Sequence, residues 1–459
     1  MSGGGGGLTT DTDVRNGYSR DASGLELLPD AVARPTSRDE IMAILREAQR
    51  DRTPVTAAGA QTSTTAASLT DTGVLLSMRG FTGIRDIDHA SHTVHVAPGE
   101  LLGPLKRQLA AEGWLFAPDP TSEDDCTVGG AIACNASGAR SLRYGATRSH
   151  VRGLTVALMN GDVLELRRPM LEKNTVGYAP LHDLVDWFIG SEGTLGVILE
   201  AELSLLPLPS WVTGLSIPFP TDTAALAFVV SARQSAALSP RCLEYLDAGA
   251  FAIARTAAAD DAWAPAATAL IYTELSGSDD KEADLEAWME LAAAHGALDD
   301  DIRVYEGEAA LRDARRLRHA VPATMHERAA PYRAAGGRRV STDWAVPYDR
   351  LGAALAASRR AVDVRGLTPP VTFGHAGNGH PHQNFVARDR EELERITDAV
   401  SATLREVIAL GGTVAAEHGI GKLKSRWLPL QMSATQRGMM RAIKRELDPG
   451  NLLAPGNIL

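Results

Sequence analysis

Cysteine is scarce in this chain, which has only Cys126, Cys134 and Cys242 among its 459 residues. Three widely spaced cysteines provide neither a disulfide scaffold nor the ligand spacing of an iron–sulfur cluster or a cysteine-type zinc site. This scarcity favours a protein of the reducing cytoplasm. An excess of basic residues is also missing, since 46 Lys and Arg face 57 Asp and Glu, giving a net charge of -11. This balance argues against nucleic acid or an anionic membrane surface as the main partner.

Long apolar runs are missing as well. No window approaches the roughly 18 consecutive apolar residues that a membrane helix needs, so no membrane span is predicted. The glycine run between Met1 and Leu8 lacks the basic and apolar parts of a signal peptide, and we expect residues 1–28 to be a flexible segment. The sequence contains neither a Walker A motif nor a strand-linked G-x-G-x-x-G, which argues against ATP and ordinary NAD binding.

The order of apolar and polar residues predicts two mixed domains. From Asp30 to about Pro207, helical and strand-like segments alternate, which predicts an α+β or α/β domain. Alanine-rich helical stretches interleaved with strands fill residues 208–408, beyond a proline-containing boundary. The turn-rich ending leaves open whether residues 409–459 return to the first domain.

Histidines are concentrated in two short loops. His375, His380 and His382 fall within eight residues although the chain has 12 histidines, and Glu417-His418 follow a few tens of residues later. Apolar runs on both sides of the first cluster predict a hairpin, whose glycines allow the chain to fold back and bring His375 and His382 together.

These side chains suit a divalent transition metal. Two neutral imidazoles and one carboxylate, here His375, His382 and Glu417, form a plausible ligand set with open coordination positions. His418 would then lie beside the metal as a base, and Asn384 would share a strand face with His382. Taken one at a time, loop histidines near glycines are equally well explained as surface residues.

Three stretches are rich in glycine and small residues, namely Ala57–Thr65, Asp119–Gly138 and Gly190–Ile198. Small residues let backbone N–H groups approach the phosphates of a cofactor closely. Each stretch alone is weak support for such a cofactor, because glycine loops are usually turns.

The amino-acid sequences of these segments and their order along the chain resemble those of the FAD-linked oxidoreductases of the vanillyl-alcohol oxidase type. The specific branch is that of the D-2-hydroxyacid dehydrogenases, which includes D-lactate and D-2-hydroxyglutarate dehydrogenases and the glycolate oxidase flavin subunit. The resemblance runs from about Pro29 to the C-terminus and also includes the closing Asp448–Gly456. It implies an α+β fold with a two-part FAD-binding domain (29–207), an α+β cap domain (208–408) and a helical C-terminal segment that closes the active site (409–459).

The resemblance also implies which residues line FAD. They are Ala58, Gly59, Ala60, Gln61, Thr62, Ser63, Pro120, Ser122, Thr127, Gly130, Asn135, Gly138, Tyr144, Gly145, Glu192, Gly196 and Ile198. The histidine that some relatives link covalently to flavin is missing from Ala57–Thr65, and Cys126 does not match the alternative cysteine position. Non-covalent FAD is therefore expected.

The implied reaction is the oxidation of a D-2-hydroxy acid to the 2-oxo acid. A zinc or manganese ion would orient the substrate, His418 would take its hydroxyl proton, and hydride would pass to flavin N5. Arg318 and Asn384 would hold the carboxylate, although a solvated helix arginine is an equal alternative for Arg318. Ser341 occupies the position of a lysine in hydroxyglutarate-specific relatives, which favours a lactate-like substrate over a dicarboxylate.

Reduced flavin must pass its electrons on, and the chain has no recognisable haem or iron–sulfur ligands. An external acceptor is implied, such as a quinone, a cytochrome, an electron-transfer flavoprotein, an iron–sulfur partner subunit or oxygen. The sequence leaves the oligomeric state open, and a homodimer is one candidate.

The chain departs from the family pattern at several positions. In the histidine loop, Asn378 replaces an aspartate and His380 replaces an asparagine. Ala58 and Gln61 replace an arginine and a glycine common in the first cofactor loop, and Ala454 replaces an asparagine that often precedes the closing Pro-Gly. Alternatives are an FAD oxidase of an alcohol or sugar, a non-redox enzyme similar to the alkylglycerone-phosphate synthases, and a metal-dependent hydrolase without flavin.

Overall fold

A computed structural model describes residues 7–277 and 280–459. The helices are α1 (Thr12–Gly17), α2 (Arg38–Asp51), α3 (Leu102–Ala111), α4 (Val128–Cys134), α5 (Ser141–Tyr144), α6 (Val185–Phe188), α7 (Asp222–Gln234), α8 (Ala248–Ala257), α9 (Lys281–Ala294), α10 (Gly307–Ala329), α11 (Leu351–Asp363), α12 (Arg390–Ala409), α13 (Leu428–Gln431) and α14 (Ala434–Leu447). The strands are β1 (Ala31–Ala33), β2 (Val55–Ala58), β3 (Val74–Ser77), β4 (Ile84–Asp88), β5 (Thr93–Val96), β6 (Trp114–Leu115), β7 (Val151–Ala157), β8 (Val163–Arg167), β9 (Val197–Ser204), β10 (Leu206–Pro207), β11 (Val212–Phe219), β12 (Cys242–Leu246), β13 (Ala269–Ser276), β14 (Arg303–Glu306), β15 (Gly336–Ser341), β16 (Val371–His375) and β17 (His380–Asp389). This mixture confirms the α+β class.

The N-terminal segment, predicted to be flexible over residues 1–28, is described only from residue 7 on. In the described part Asp11 caps α1 by accepting hydrogen bonds from two backbone N–H groups. Thr9 forms an antiparallel bridge with Val32, and Gln61 Nε2 donates to the carbonyl of Tyr18. This part of the segment therefore has defined secondary structure.

The described residues form two compact units. The first comprises the described part of Met1–Ser137 together with Gly145–Leu208 and Glu417–Leu459. The second comprises Gly138–Tyr144 and Pro209–Ala416. Residues Glu417–Leu459 thus belong to the first unit. The turn-rich sequence of this ending had left it open whether the chain returns to the first domain.

A small parallel sheet opens the first unit, in the order β1-β3-β2. Ser37 caps helix α2 by accepting a hydrogen bond from Glu40 N, and the helix buries a stripe that includes Ile41 and Leu45. The C-terminus joins this sheet through a parallel bridge between Val55 and Leu453. Pairing with β2 explains why the end of the chain returns to the first unit.

A larger antiparallel sheet, β4-β5-β9-β7-β8, completes the first unit. Its apolar face packs against α3 and α4 around residues such as Val156, Leu105 and Ile132, which are all buried. The sheet and the helices form two packed layers, and this packing fixes the positions of the loops that connect them.

The second unit is built on one sheet, with the order β14-β11-β13-β12-β16-β17-β15 among the described residues. Its core includes Phe251, Trp263 and Phe373 from α8 to β16. Strands β12, β16, β17 and β15 are neighbours, which places residues that are far apart in sequence side by side.

The short insertion Gly138–Tyr144 belongs to the second unit for an electrostatic reason. Arg140 from this insertion donates to Glu274 on β13, with distances of 3.0 and 3.2 Å, and Arg241 donates to the same carboxylate at 3.0 Å. Burial alone would raise the pKa of Glu274, but the two guanidinium groups outweigh it and hold the pKa at about 2. This buried ion cluster fixes the insertion on the sheet. Among the described residues no helix is both long and apolar enough for a membrane crossing.

Candidate functional site

The hairpin of β16 and β17 gathers the histidines on one sheet face. His375 lies opposite His380 in the antiparallel register, and Phe373 lies opposite His382. Residues directly opposite each other share a face, and so do residues two apart on one strand. His375, His380, His382 and Asn384 are therefore all directed to the same side of the sheet.

Side-chain distances agree with this register. The ring centres of His375 and His382 are 5.3 Å apart, and His380 lies 5.4 Å and 4.6 Å from them respectively. One nitrogen from each of the three rings lies within 4.8 Å of the others, and all three side chains are buried. Three convergent imidazoles within this distance can act as donors to one metal ion.

Glu244 on β12 orients His375. Its Oε1 lies 2.6 Å from His375 Nδ1, and its Oε2 accepts a 2.7 Å hydrogen bond from Arg318 Nε. Burial would raise the pKa of Glu244, but the charges of His375 and Arg318 outweigh it, so that the pKa is about 2. An ionised carboxylate on Nδ1 leaves His375 Nε2 as the ligand atom, which is the usual arrangement around protein metals.

Arg318 on α10 is therefore buried and paired, not a solvated helix arginine. Its Nη2 also lies 3.4 Å from His375 Nε2, and its guanidinium lies 5.4 Å from the ring centre of Phe373. The sequence predicted that Arg318 would bind a carboxylate of the substrate. In the structure, the carboxylate it contacts is that of Glu244.

The substitution Glu244→Gln should destabilise the protein by about 3 kcal/mol, because it leaves the charge of Arg318 buried without its anion. Urea denaturation monitored by tryptophan fluorescence would measure the loss. Glu308→Gln is the matched control, because Glu308 and Arg312 form an exposed ion pair on the same helix. The control should change stability by less than about 0.5 kcal/mol. Equal effects of both substitutions would contradict this view of the buried pair.

A tight turn joins the two histidine strands. Gly379 has φ = +66°, and a Cβ atom there would lie 1.9 Å from the carbonyl oxygen of Val346. Only glycine meets both conditions without moving the backbone. The turn places His380 directly opposite His375.

We expect Gly379→Ala to cost about 3 kcal/mol or more, because it adds left-handed strain to a backbone clash. Gly438→Ala is the control, since no atom lies within 4 Å of a Cβ at that position in α14. The control should stabilise the helix by roughly 0.5–1 kcal/mol. Urea midpoints of the two variants should move in opposite directions, and a common direction would refute the explanation.

In the first unit, the glycine-rich loops converge. A Cβ at Gly59 would lie 2.3 Å from Thr127 Oγ1, and one at Gly421 would lie 2.2 Å from the Thr65 carbonyl. The backbone N–H groups of Ile420 and Gly421 donate to the carboxylate of Glu192 at 2.5 and 2.8 Å. Backbone segments that are far apart in sequence therefore meet around small residues.

The residues predicted to line FAD divide between the units. Gly138 and Tyr144 belong to the second unit. The others lie in the first unit: Ala58, Gly59, Ala60, Gln61, Thr62, Ser63, Pro120, Ser122, Thr127, Gly130, Asn135, Gly145, Glu192, Gly196 and Ile198.

Several of these side chains make structural hydrogen bonds. Thr127 caps α4 by accepting from Gly130 N at 3.1 Å, and Asn135 Oδ1 accepts from Arg148 N at 2.9 Å. Gln61 has φ = +58° and turns its amide to the Tyr18 carbonyl. These side-chain hydrogen bonds shape the loops.

Glu417 and His418 begin the C-terminal part of the first unit. Glu417 Oε2 accepts from Ser137 Oγ at 3.0 Å, and its Oε1 lies 3.5 Å from His418 Nε2. The His418 carbonyl accepts a hydrogen bond from Thr65 Oγ1 at 3.3 Å. Contacts to two of the glycine-rich loops therefore fix this carboxylate–imidazole pair.

Comparisons with known proteins match two family models to this chain. Residues 208–458 match the family model "FAD linked oxidases, C-terminal domain", and residues 29–167 match "FAD binding domain". The chain belongs to the FAD-linked oxidase family. It is an FAD-dependent oxidoreductase that acts on CH–OH groups.

Relatives of this FAD-linked oxidase cover nearly its whole length. Glycolate oxidase subunit GlcD of Bacillus subtilis is 32% identical over 453 residues, covering 96% of this chain and 91% of that protein. D-2-hydroxyglutarate dehydrogenase of Xanthomonas citri pv. viticola is 30% identical, with 94% and 89% covered. D-lactate dehydrogenase of Anaerostipes hadrus is 28% identical, also with 94% and 89% covered. The solved alkyldihydroxyacetonephosphate synthase has a TM-score of 0.74 at 17% identity, over 98% of this chain and 83% of that one, which shows the fold alone.

Sequence reasoning missed three charged residues at the histidine cluster of this FAD-linked oxidase. Glu244 contacts His375, Asp343 Oδ1 lies 3.1 Å from His380 Nε2, and Arg339 donates to Asn384 Oδ1 at 3.1 Å. A sequence signal existed only for Asp343, which lies beside the Ser341 position compared with a family lysine. The other two reach the cluster through the strand order of the sheet.

Proposed function

We propose that this protein oxidises a D-2-hydroxy acid to the corresponding 2-oxo acid, using FAD and a divalent metal. The observation that carries the proposal is the group of three buried imidazoles and one buried amide on a single sheet face. Alcohol oxidation by flavin alone has no need for such a donor set. The relatives named for glycolate, D-lactate and D-2-hydroxyglutarate support this class of substrate.

The loops of the first unit fit FAD. Their small residues leave backbone N–H groups accessible to a pyrophosphate, and the predicted residues from Ala58 to Ser63 would hold it. Bound FAD supplies the acceptor for the hydride removed from the substrate carbon. Non-covalent binding is favoured because burial raises the pKa of Cys126 to about 11 and that of Cys134 to about 12, which keeps both thiols poorly nucleophilic.

The imidazole cluster fits a divalent metal, with His375, His382 and Glu417 as the proposed ligands. Glu417 directly follows Ala416, whose backbone N–H donates to the Asp343 carbonyl at 2.7 Å. Imidazole and carboxylate donors suit zinc or manganese. Bound metal supplies a Lewis acid that lowers the pKa of a coordinated hydroxyl group.

The chain's own residues provide the remaining functions. His418 takes the proton of the substrate hydroxyl, since imidazole exchanges protons readily near neutral pH. Asn384 donates its side-chain N–H to the substrate carboxylate. Arg318, because it is paired with Glu244, keeps His375 in the orientation that metal binding needs.

We further propose a cytoplasmic enzyme that passes electrons to an external acceptor. Cys126, Cys134 and Cys242 form no disulfide in the described structure, as expected in a reducing compartment. We also propose that the C-terminal segment, residues 409–459, closes the active site. A homodimer is the oligomeric state that we propose.

Metal and flavin analysis together with turnover assays would test this function. Purified protein should contain about one FAD and about one zinc or manganese per chain, and D-lactate should reduce an artificial dye acceptor. A colourless, metal-containing protein would instead favour a hydrolase. A flavin-containing protein without metal that oxidises sugars or simple alcohols would favour the alcohol-oxidase alternative.

A further inference from the structure

Arg339 on β15 shares the sheet face of the histidine cluster. Ser341 lies directly opposite Asn384 in the register of β15 and β17, and Arg339 is two residues before Ser341. Residues with this spacing have the same orientation, so the Arg339 side chain lies next to Asn384. Its Nη1 donates to Asn384 Oδ1 at 3.1 Å and to the Pro322 carbonyl at 3.4 Å.

In the part of the chain that the structure describes, the positive charge of Arg339 has no anionic partner. Among the described residues no carboxylate lies within ion-pair distance of it, whereas Arg318 pairs with Glu244 and Arg140 pairs with Glu274. Burial lowers the pKa of Arg339, and no neighbouring acid offsets that effect. A partly buried charge without a counter-ion is unfavourable, so this guanidinium is suited to an anion that arrives from outside.

The neighbouring Asn384 also has a side-chain amide donor that is available for a ligand. Only 1% of this residue is exposed, and its Nδ2 has no hydrogen-bond partner among the described residues. Buried amide donors are normally satisfied, and an exception calls for a missing partner. Arg339 accounts for the Oδ1 atom of Asn384, which leaves its Nδ2 donor available for a group bound on this sheet face.

We propose that Arg339 and Asn384 together bind the carboxylate of the substrate, with Arg339 as the specificity-determining cation. This inference rests on the proposed function and assigns the role first predicted for Arg318 to a different arginine. A carboxylate can accept from the guanidinium and the amide at once, and both donors lie on the face that carries the histidines. The pair would select 2-hydroxy acids over neutral alcohols of the same size. Although Ser341 replaces the lysine of hydroxyglutarate-specific relatives, Arg339 supplies a positive charge two residues earlier.

Binding of oxalate to the FAD-containing protein, measured by calorimetry, tests the pair without any oxidation. Arg339→Gln should weaken oxalate binding about 100-fold or more, because a buried charge pair would be lost. Arg339→Lys keeps the charge but not the planar fork, so we expect an intermediate loss of about 10-fold. Arg338→Gln is the control, since the side chain of Arg338 lies on the opposite face of the same strand, and it should change the affinity less than 3-fold.

The outcomes separate this inference from the proposed function. Equal oxalate affinity in wild type and in both Arg339 variants would overturn the carboxylate site, as would a wild type that does not bind oxalate. The wild type could bind oxalate through Arg339 while no 2-hydroxy acid reduces its flavin. That result would support the carboxylate site and contradict the proposed reaction. With D-lactate and the neutral D-lactamide as paired substrates, Arg339→Gln should remove the preference for the acid.

Discussion

Replacing His382 with alanine should lower the rate of flavin reduction by substrate on the order of 10³-fold. A Lewis acid contributes several kcal/mol to such a step, and each 1.4 kcal/mol is about tenfold in rate. The loss of one imidazole donor should also lower the metal content of the purified protein. Rapid-mixing absorbance of the flavin band and elemental analysis would measure both effects.

The FAD content of the His382→Ala variant should stay unchanged, because His382 belongs to the second unit and most of the residues predicted to line FAD belong to the first. His295→Ala, which removes a histidine at the end of α9 in the same unit, is the control and should keep its metal and its rate. A variant without His382 that keeps full metal and a normal reduction rate would contradict the ligand assignment.

Replacing His418 with glutamine should slow flavin reduction roughly 10²–10⁴-fold, the usual contribution of a general base. Both FAD and metal should be retained, because neither is proposed to depend on this side chain. In wild type the rate should rise with pH and level off once the base is deprotonated. In the variant that plateau should be missing, and the rate should go on rising at alkaline pH.

The primary kinetic isotope effect provides a second measurement for His418→Gln. With substrate deuterated at the hydroxyl-bearing carbon, the variant should still transfer hydride and show an isotope effect. A variant with wild-type rate and wild-type pH profile would show that another group takes the proton. Loss of FAD from the variant would indicate a structural role for His418 instead.

Local sequence patterns were sufficient for the elements around the site. The alternation of helical and strand-like segments predicted the mixed character of the first domain, and the glycines around His375 predicted the hairpin. The second strand of the hairpin begins at His380, directly after Gly379 completes the turn in a left-handed conformation. Because the strand begins there, His380 and His382 are two residues apart on one strand and share a face.

Long-range partners could not be predicted in the same way. Glu244 lies 131 residues from the histidine that it orients, and the two meet only because β12 is next to β16. Arg339 reaches Asn384 through the pairing of β15 with β17. Neither strand pairing has a signature in the local sequence, since register and strand order depend on the packing of the whole sheet.

The insertion Gly138–Tyr144 illustrates the same limit. It follows the second glycine-rich loop directly, and its sequence indicated membership of the FAD-binding domain. The ion pairs of Arg140 with Glu274 place it on the second unit instead. Arg140 and Glu274 are more than 130 residues apart in the sequence. Neither local segment contains a pattern that predicts their ion pair.

The most direct test of the central claim is the anaerobic flavin spectrum of the purified protein during addition of D- and L-2-hydroxy acids, with and without a chelator. The account predicts that a D-acid bleaches the oxidised flavin band, that its L-enantiomer does not, and that removal of metal abolishes the bleaching. A flavin that no 2-hydroxy acid reduces, or one that a D-acid reduces equally well without metal, would contradict it.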